Sequence, residues 1–240
     1  MIRKVVIAAA GQGTRMSQLT KDKSKHLIEV NGKPFLSYVL DNLLKADYDN
    51  FYLVVGYEGR LVEQFLKEYG YKAQVINQFE VLGPKEKIYG TACPLMCVKD
   101  IKEQFIYLCG DNFYSVEDLR GMNIDDDYNY VAGAESINSG SFGALVEEGE
   151  FLKEIKEKTQ GSAGSLVNIS LYKFTSEIFE KIYQIEKSPR GEYEITDAVS
   201  LLAKGKKVKI KRISDFWMDF GKPEDVEKFS KYLNENNSGK

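Results

Sequence analysis

Arg15 and Lys25 are two cations that follow a glycine turn. The chain opens MIRKVVIAAAGQGTRM, and Lys25 follows ten residues after Arg15. Three constructions could place cations in this way. A dinucleotide-binding turn calls for a third small residue at position 16, where Met16 stands, and for a crossover helix that the polar segment 17–26 does not supply, although Glu29 lies near the spacing of its acidic residue. A P-loop calls for Gly-Lys-Ser/Thr, which is absent. The third is a loop whose backbone N–H groups cradle phosphate while Arg15 and Lys25 neutralise it. On glycine spacing alone, a plain turn with two solvated cations competes equally with that third construction.

Other chemistries are excluded by what the chain lacks. It has one histidine and three cysteines, Cys93, Cys97 and Cys109, with no Cys-x-x-Cys. That rules out a zinc site, a disulfide framework and a histidine-driven nucleophile. Two aspartates stand at the C-terminal ends of apolar runs, Asp111 in CGDN and Asp219 in FWMDFG, where an Asp also commonly just closes a turn. Glu157 and Lys158 fall in a charge-rich hairpin that reads equally as a solvated face. Trp217 reads equally as core. A net charge of −3 over 240 residues gives no electrostatic footprint for nucleic acid or an anionic membrane. The apolar run Val5 to Ala10 is shorter than a signal-peptide core of about 7–15 residues, and a cytoplasmic location is expected.

The elements that must carry these residues alternate. KVVIAAA, FYLVVGY (51–57), AQVIN (73–77) and QFIYLCGD (104–111) read as buried strands. Helices are predicted between them after Pro34, over Leu61–Tyr69 with a stop at Gly70, and near 91–102. This predicts an α/β fold, a doubly wound, mostly parallel sheet. Past residue 130 come YVAGAE, a hairpin of GALVEEG and FLKEIKE turning at Glu148-Gly149, and LVNISLYKF. SEIFEKIYQIEK and ITDAVSLLAKG read as helices, the second capped by Thr196. VKIKRIS alternates as an edge or exposed-face strand, PEDVEKFSKYL closes the fold, and NENNSGK reads as a frayed tail.

GQGTRM followed by KDKSKHLIEVNGKP resembles the signature of the sugar-1-phosphate nucleotidyltransferases, the nucleotide-sugar pyrophosphorylases. The resemblance runs on, in order, through Gln78, YGTA (89–92), CGDN (109–112), the FG of SFGALVEEG, IKEK (155–158), LVNISLY (166–172), RGEYEITDA (190–198) and FWMDFGKPED (216–225). It is nearest to the glucose-1-phosphate thymidylyl- and uridylyltransferases. Three departures stand out. Ala8 replaces the usual leucine, FEVLGPKEKIY inserts between Gln78 and Gly90, and no left-handed β-helix follows, so an appended acetyltransferase is not expected.

The resemblance implies a Rossmann-like nucleotidyltransferase fold as one domain over 1–240, with a mixed sheet. Residues 1–130 form a nucleotide half, 131–235 an elaborated sugar-phosphate half, and 235–240 a flexible tail. It implies that a sugar 1-phosphate attacks the α-phosphorus of a nucleoside triphosphate and releases pyrophosphate. The attacking phosphate already carries about −1.5 to −2 charge, so no general base is needed. Arg15 and Lys25 would hold the triphosphate, Lys158 the sugar phosphate, and Asp111 and Asp219 a Mg²⁺ ion. Ala10, Gly11, Gly13, Thr14, Gln78 and Gly90 would face the nucleotide. Gly143, Glu157, Asn168 and Trp217 would form the sugar pocket, with Glu194 in a lesser sugar-side role. Gln78, with one donor and one acceptor, suits uracil or thymine, though a flipped amide also suits cytosine. UTP or dTTP with a hexose 1-phosphate is the expected pair. Cytidylyl or guanylyl transfer, including to a phosphocholine-type acceptor, a catalytically silent sugar-nucleotide regulator, and homo-oligomeric assembly all stay open.

Overall fold

A computed structural model of the chain describes residues 1–11, 13–16, 19–20, 24–56, 59–136, 142–156 and 165–237. Strand β1 (Lys4–Ala9) leads to a small hairpin of β2 (Glu29–Val30) and β3 (Lys33–Pro34), then α1 (Phe35–Lys45), β4 (Asn50–Val55), α2 (Gly59–Tyr69) and β5 (Ala73–Asn77). Next come α3 (Gln78–Leu82), α4 (Cys93–Met96), β6 (Phe105–Cys109), β7 (Asn112–Tyr114) and α5 (Val116–Gly121). The second half holds β8 (Asn129–Ser136), β9 (Ala144–Glu148), β10 (Phe151–Lys156), β11 (Ser165–Phe174), α6 (Glu177–Ile182) and α7 (Ile195–Lys204). It ends with β12 (Val208–Arg212), β13 (Trp217–Asp219) and α8 (Glu224–Asn237).

Period-two geometry turns the continuous apolar runs into a two-faced sheet. Val5 and Ile7 join the core beneath α1, α2 and α8, while Val6 joins the core beneath α4, α6 and α7. Leu53 and Val55 divide from Val54 in the same way, and Ile106 and Leu108 from Phe105 and Tyr107. The main sheet runs β5-β4-β1-β6-β11-β8-β12-β10-β9. Its first four strands are parallel, and β11 joins β6 antiparallel. This is the expected doubly wound mixed sheet. The chain leaves β1 toward β4 on one side and returns as β6 on the other, so the C-terminal ends of β1 and β6 flank the crevice where such sheets take ligands. No helix among the described residues is long and apolar enough to cross a membrane.

Several local expectations are corrected. VKIKRIS is not an edge: β12 pairs with β8 on one side and with β10 at Phe151↔Lys209 on the other. Its lysines sit in the sheet because their stems lie along rings while the charged heads reach out, Lys209 standing 4.1 Å from the Tyr128 centroid and 2.8 Å from Glu150. Thr196 lies inside α7. The first helical N–H, on Ile195, donates instead to Thr91 Oγ1 at 2.9 Å. Much of the supposed tail is helical, since α8 runs to Asn237. The helix near 91–102 shortens to α4 followed by turns.

Lys173, on the central strand β11, has no exposed side-chain surface. Its ammonium donates to the carbonyls of Asp126 and Tyr128 and, at 3.0 Å, to the Asp126 carboxylate, so all three N–H groups are used. Partial burial works against the ionised Asp126, but hydrogen bonds from Tyr130 and Lys173 outweigh it and hold its carboxyl below the ordinary value. A depressed pKa adds stability that is present above the unfolded-state value and is lost as pH falls through the folded one. Lys173→Met should cost about 3–5 kcal/mol by stranding buried partners, measured as a fall in thermal midpoint at neutral pH. In Asp126→Asn the acid limb of the stability curve should flatten.

Candidate active site

The turn after β1 is shaped by what packs beside it. Gly13 has φ +62°, and a Cβ there would lie 3.1 Å from Lys25 Cβ. Thr14–Met16 forms a 3-10 turn closed by Met16 N–H to Gly13 O at 2.8 Å, with Met16 fully buried. Met16 thus plugs the core where a dinucleotide turn would need a small residue. Arg15 stays exposed at the rim. A second 3-10 turn, Lys25–Leu27, presents the Lys25 ammonium to the Asp111 carboxylate as an ion pair, both side chains mostly buried. Burial works against each charge, yet the partner prevails in both: Lys25 is held above its ordinary value and Asp111 below. His26, 1% exposed, is driven down to about 3 by burial and by Lys25. It is neutral at any physiological pH, as a site without a histidine base requires.

Asp219 reaches this pair through a ribbon. Strand β13 pairs antiparallel with β7, setting Asp219 opposite Asn112, and Phe220 N–H donates to Asp111 O at 2.8 Å. Burial, and then the charge of Asp111, push the Asp219 carboxyl up to about 6. Carboxylates pin both ends of β13. Asp118 accepts from the backbone N–H groups of Ser214, Asp215 and Phe216 at 2.8–3.2 Å, and Asp225 from those of Gly221 and Lys222 at 3.1 and 2.8 Å. The described residues hold no cluster of three or more potential metal ligands. Two hard oxygen donors suit Mg²⁺, which binds through one or two carboxylates and completes its shell with water and phosphate oxygens.

A cavity of about 410 Å³ opens at the ends of β1 and β6, lined by Ala10, Gly11, Gly13, Arg15, Lys25 and Asp111. Gln78, Lys85, Tyr89 and Gly90 line it as well, and so do Arg190 and Glu192 of the 188–193 loop. The lining carries four cations, Arg15, Lys25, Lys85 and Arg190, and two carboxylates, Asp111 and Glu192; Lys25 is paired with Asp111, and Arg190 with Glu194. Gln78 begins α3 rather than ending a strand. It is 1% exposed, and neither amide atom has a partner among the described residues. Such an amide costs free energy until something pairs with it.

Gly90 lies against backbone. With φ +141°, it would place a Cβ 2.2 Å from Tyr193 O. The contact is zipped by Tyr193 N–H to Tyr89 O and Ala92 N–H to Tyr193 O, each 2.9 Å. Glu194 differs from the sugar-side expectation. It is 4% exposed, and its oxygens accept from Thr91 Oγ1, Ser188 Oγ and Arg190 Nη2 at 2.8–3.1 Å, so it ties the 188–195 loop to the cavity wall.

The remaining sugar-side residues form their own group. Asn168 N–H donates to Gly143 O at 2.8 Å, and the Phe142 and Trp217 rings meet edge-on at 5.0 Å. The Asn168 side chain accepts from Ser170 N–H and donates to the Tyr172 hydroxyl at 2.6 Å, staying within its own strand. Glu157, Lys158 and the Thr14 side chain lie outside the described residues. Lys85 and Arg190 were not anticipated from sequence, while Glu192 reads there only as a loop-organising, helix-capping or minor sugar-side residue. The signal was present for Arg190 and Glu192, which sit in the quoted RGEYEITDA. Lys85 lies in the insert, which offered no template.

Comparison with known proteins agrees with this arrangement. The nucleotidyl transferase family model matches residues 4–236. The bifunctional protein GlmU of Methanocaldococcus jannaschii is 32% identical over 231 residues, covering 95% of this chain and 53% of that protein. The chain thus spans about half the length of that relative. The UTP–glucose-1-phosphate uridylyltransferase AglF of Haloferax volcanii is 32% identical over 241 residues and covers 97% of each chain. The crystal structure of a UDP-glucose pyrophosphorylase complexed with UDP-glucose superposes with a TM-score of 0.82 at 21% identity, covering 98% of this chain and all of the other, and shares the fold. The chain belongs to the nucleotidyl transferase family.

Gly90→Ala tests the zipped wall. It forces a methyl into the Tyr193 backbone and strains φ, and should break at least one of the two hydrogen bonds at a cost of about 2–4 kcal/mol. Chemical denaturation measures the loss. An unchanged midpoint would mean that the two segments are not held in this way.

Proposed function

We propose that the chain joins a hexose 1-phosphate to UTP or dTTP, forming a nucleoside diphosphate sugar and pyrophosphate. The observation that carries this reading is a cavity lined by Arg15, Lys25, Lys85 and Arg190 that also includes Gln78, whose buried amide has no partner among the described residues. Polyphosphate answers the cations, and a base edge answers Gln78. AglF, matched over nearly its whole length, is named for UTP and glucose 1-phosphate, which favours that pair.

In this reading the sugar phosphate oxygen attacks the α-phosphorus in line. A new P–O bond forms, the bond to the β-phosphate breaks, and its electron pair leaves on pyrophosphate. The phosphate is already an anion, so no proton need move, in keeping with a neutral His26. The protein supplies position and charge. Arg15 and Lys25 hold the β- and γ-phosphates, Gly11 and Gly13 bring backbone close to them, and Arg190 lines the same cavity. Lys158 holds the sugar phosphate, with Glu157, Gly143, Asn168 and Trp217 around the sugar. Gln78 pairs with O4 and N3–H of the base, while Ala10 and Gly90 bound the nucleoside. Asp111 and Asp219 hold Mg²⁺, which when bound would neutralise phosphate charge.

Pyrophosphate release, measured across nucleoside triphosphates and sugar 1-phosphates, tests the reading. UTP or dTTP with glucose 1-phosphate should lead, and CTP or GTP ahead of both would overturn the base assignment. Asp111→Asn and Asp219→Asn should each lower turnover by about 10²–10³, the effect of one lost electrostatic stabiliser, with the fold checked by circular dichroism. Gln78→Ala should lower kcat/KM for UTP and dTTP and flatten the preference among bases. A variant that kept full preference would place base recognition elsewhere.

A further inference from the structure

Asn112 stands between the two aspartates. It follows Asp111 in the chain and faces Asp219 across the ribbon. Its side chain, 6% exposed, makes two hydrogen bonds: Oδ1 accepts from Trp217 Nε1 at 2.7 Å, and Nδ2 donates to Asp111 Oδ1 at 3.2 Å. The two ends of this relay fix its direction. An indole N–H can only donate, an ionised carboxylate can only accept, and an amide offers one side of each kind. Asn112 therefore satisfies both neighbours in one orientation only. The Asp111 carboxylate by itself disfavours a flipped amide, whose carbonyl would meet it acceptor against acceptor; the indole N–H adds the second fixed point, without which the Asn112 side chain could turn away from Asp111.

Asp111 is then held at both oxygens, Oδ1 by Asn112 and Oδ2 by Lys25. Two anchors set the plane of the carboxylate and the direction of its remaining lone pairs. Trp217 is itself fixed, by its pairing with Tyr114 and by the Phe142 ring.

We propose that Trp217 is a positioning residue for the metal side of the site: through Asn112, its indole N–H sets the orientation in which Asp111 meets the divalent cation that accompanies the nucleoside triphosphate. This rests on the metal role proposed for Asp111 and Asp219. It gives Trp217 a task separate from walling the sugar, and gives Asn112 a task of its own. Partners behind a metal ligand commonly change metal affinity by about 10–100-fold when removed.

The test leaves out the sugar phosphate. UTP affinity is measured by calorimetry with Mn²⁺ and with EDTA, and the ratio reports how firmly the protein carboxylates hold the ion. Trp217→Phe keeps a ring against Phe142 but deletes the N–H. It should lower the ratio about tenfold while leaving UTP affinity in EDTA unchanged. Asn112→Ser should lower it at least as far, and the double variant no further than Asn112→Ser alone, because the two act through one path. Should Asn112→Ser fail to fold, Trp217→Phe alone decides the matter. If Trp217→Phe keeps the wild-type ratio and weakens glucose 1-phosphate binding instead, Trp217 is a sugar wall and the relay is wrong. Additive losses in the double variant would also overturn it. Asp111→Asn separates the two claims: if it too leaves the ratio unchanged, the metal role of Asp111 fails first.

Discussion

The buried ion pair between Lys25 and Asp111 is the constraint around which the rest is arranged. Each charge alone would cost several kcal/mol to remove from water, and together they are sustained only by close geometry and further hydrogen bonds. Lys25 must therefore come in on a tight turn, and Asp111 must leave the end of β6 at a fixed angle. Gly110 sits where β1 and the Lys25–Leu27 turn come close: a Cβ there would lie 3.1–3.3 Å from His26, Ile7 and the Ala8 carbonyl. Glycine allows the two charges to meet. Burial first, and then the Lys25 charge, keep the proton off the neighbouring histidine.

From that pair the division of the sheet follows. Parallel strands end together, so β1, β4 and β6 deliver loops to one edge, where a cradle for phosphate can be assembled from backbone and cations. The later strands turn antiparallel and carry Gly143 and Asn168 to a neighbouring place. β13 is the bridge between these territories. It carries Trp217 at one end and Asp219 at the other, with buried carboxylates holding the backbone beyond each end.

The parallel half of the fold was readable from sequence because its signals are local. Unbroken apolar runs of strand length mark strands covered on both faces, whereas the glycine turn and its two cations read equally as a plain solvated turn until the rest of the resemblance is added. The ribbon was not readable: β7 and β13 have three residues each, too few to show a period, and about a hundred residues separate them. Nor was the cap of α7, since Thr91 lies 104 residues before the N–H it serves. β12 misled because alternation describes a strand half-buried at an edge and one whose lysines lean over aromatic rings equally well. Lys173 gave no signal, as a lysine that buries its charge looks in sequence like any surface lysine. The individual site residues that were legible owed that to a resemblance running the length of the chain, because Asp111 or Lys25 alone reads as a turn and a solvated cation.

The joint between residues 89–92 and Tyr193 is made of main chain. Its hydrogen bonds belong to groups every residue but proline possesses, so the identities of Tyr89 and Tyr193 are free to drift while the wall stays where it is. Gly90 alone is denied that freedom. Such a frame separates the upkeep of the cavity from the choice of what fills it. Side chains lining the cavity can be exchanged one at a time, each exchange retuning what the cavity admits, without the scaffold having to be rediscovered.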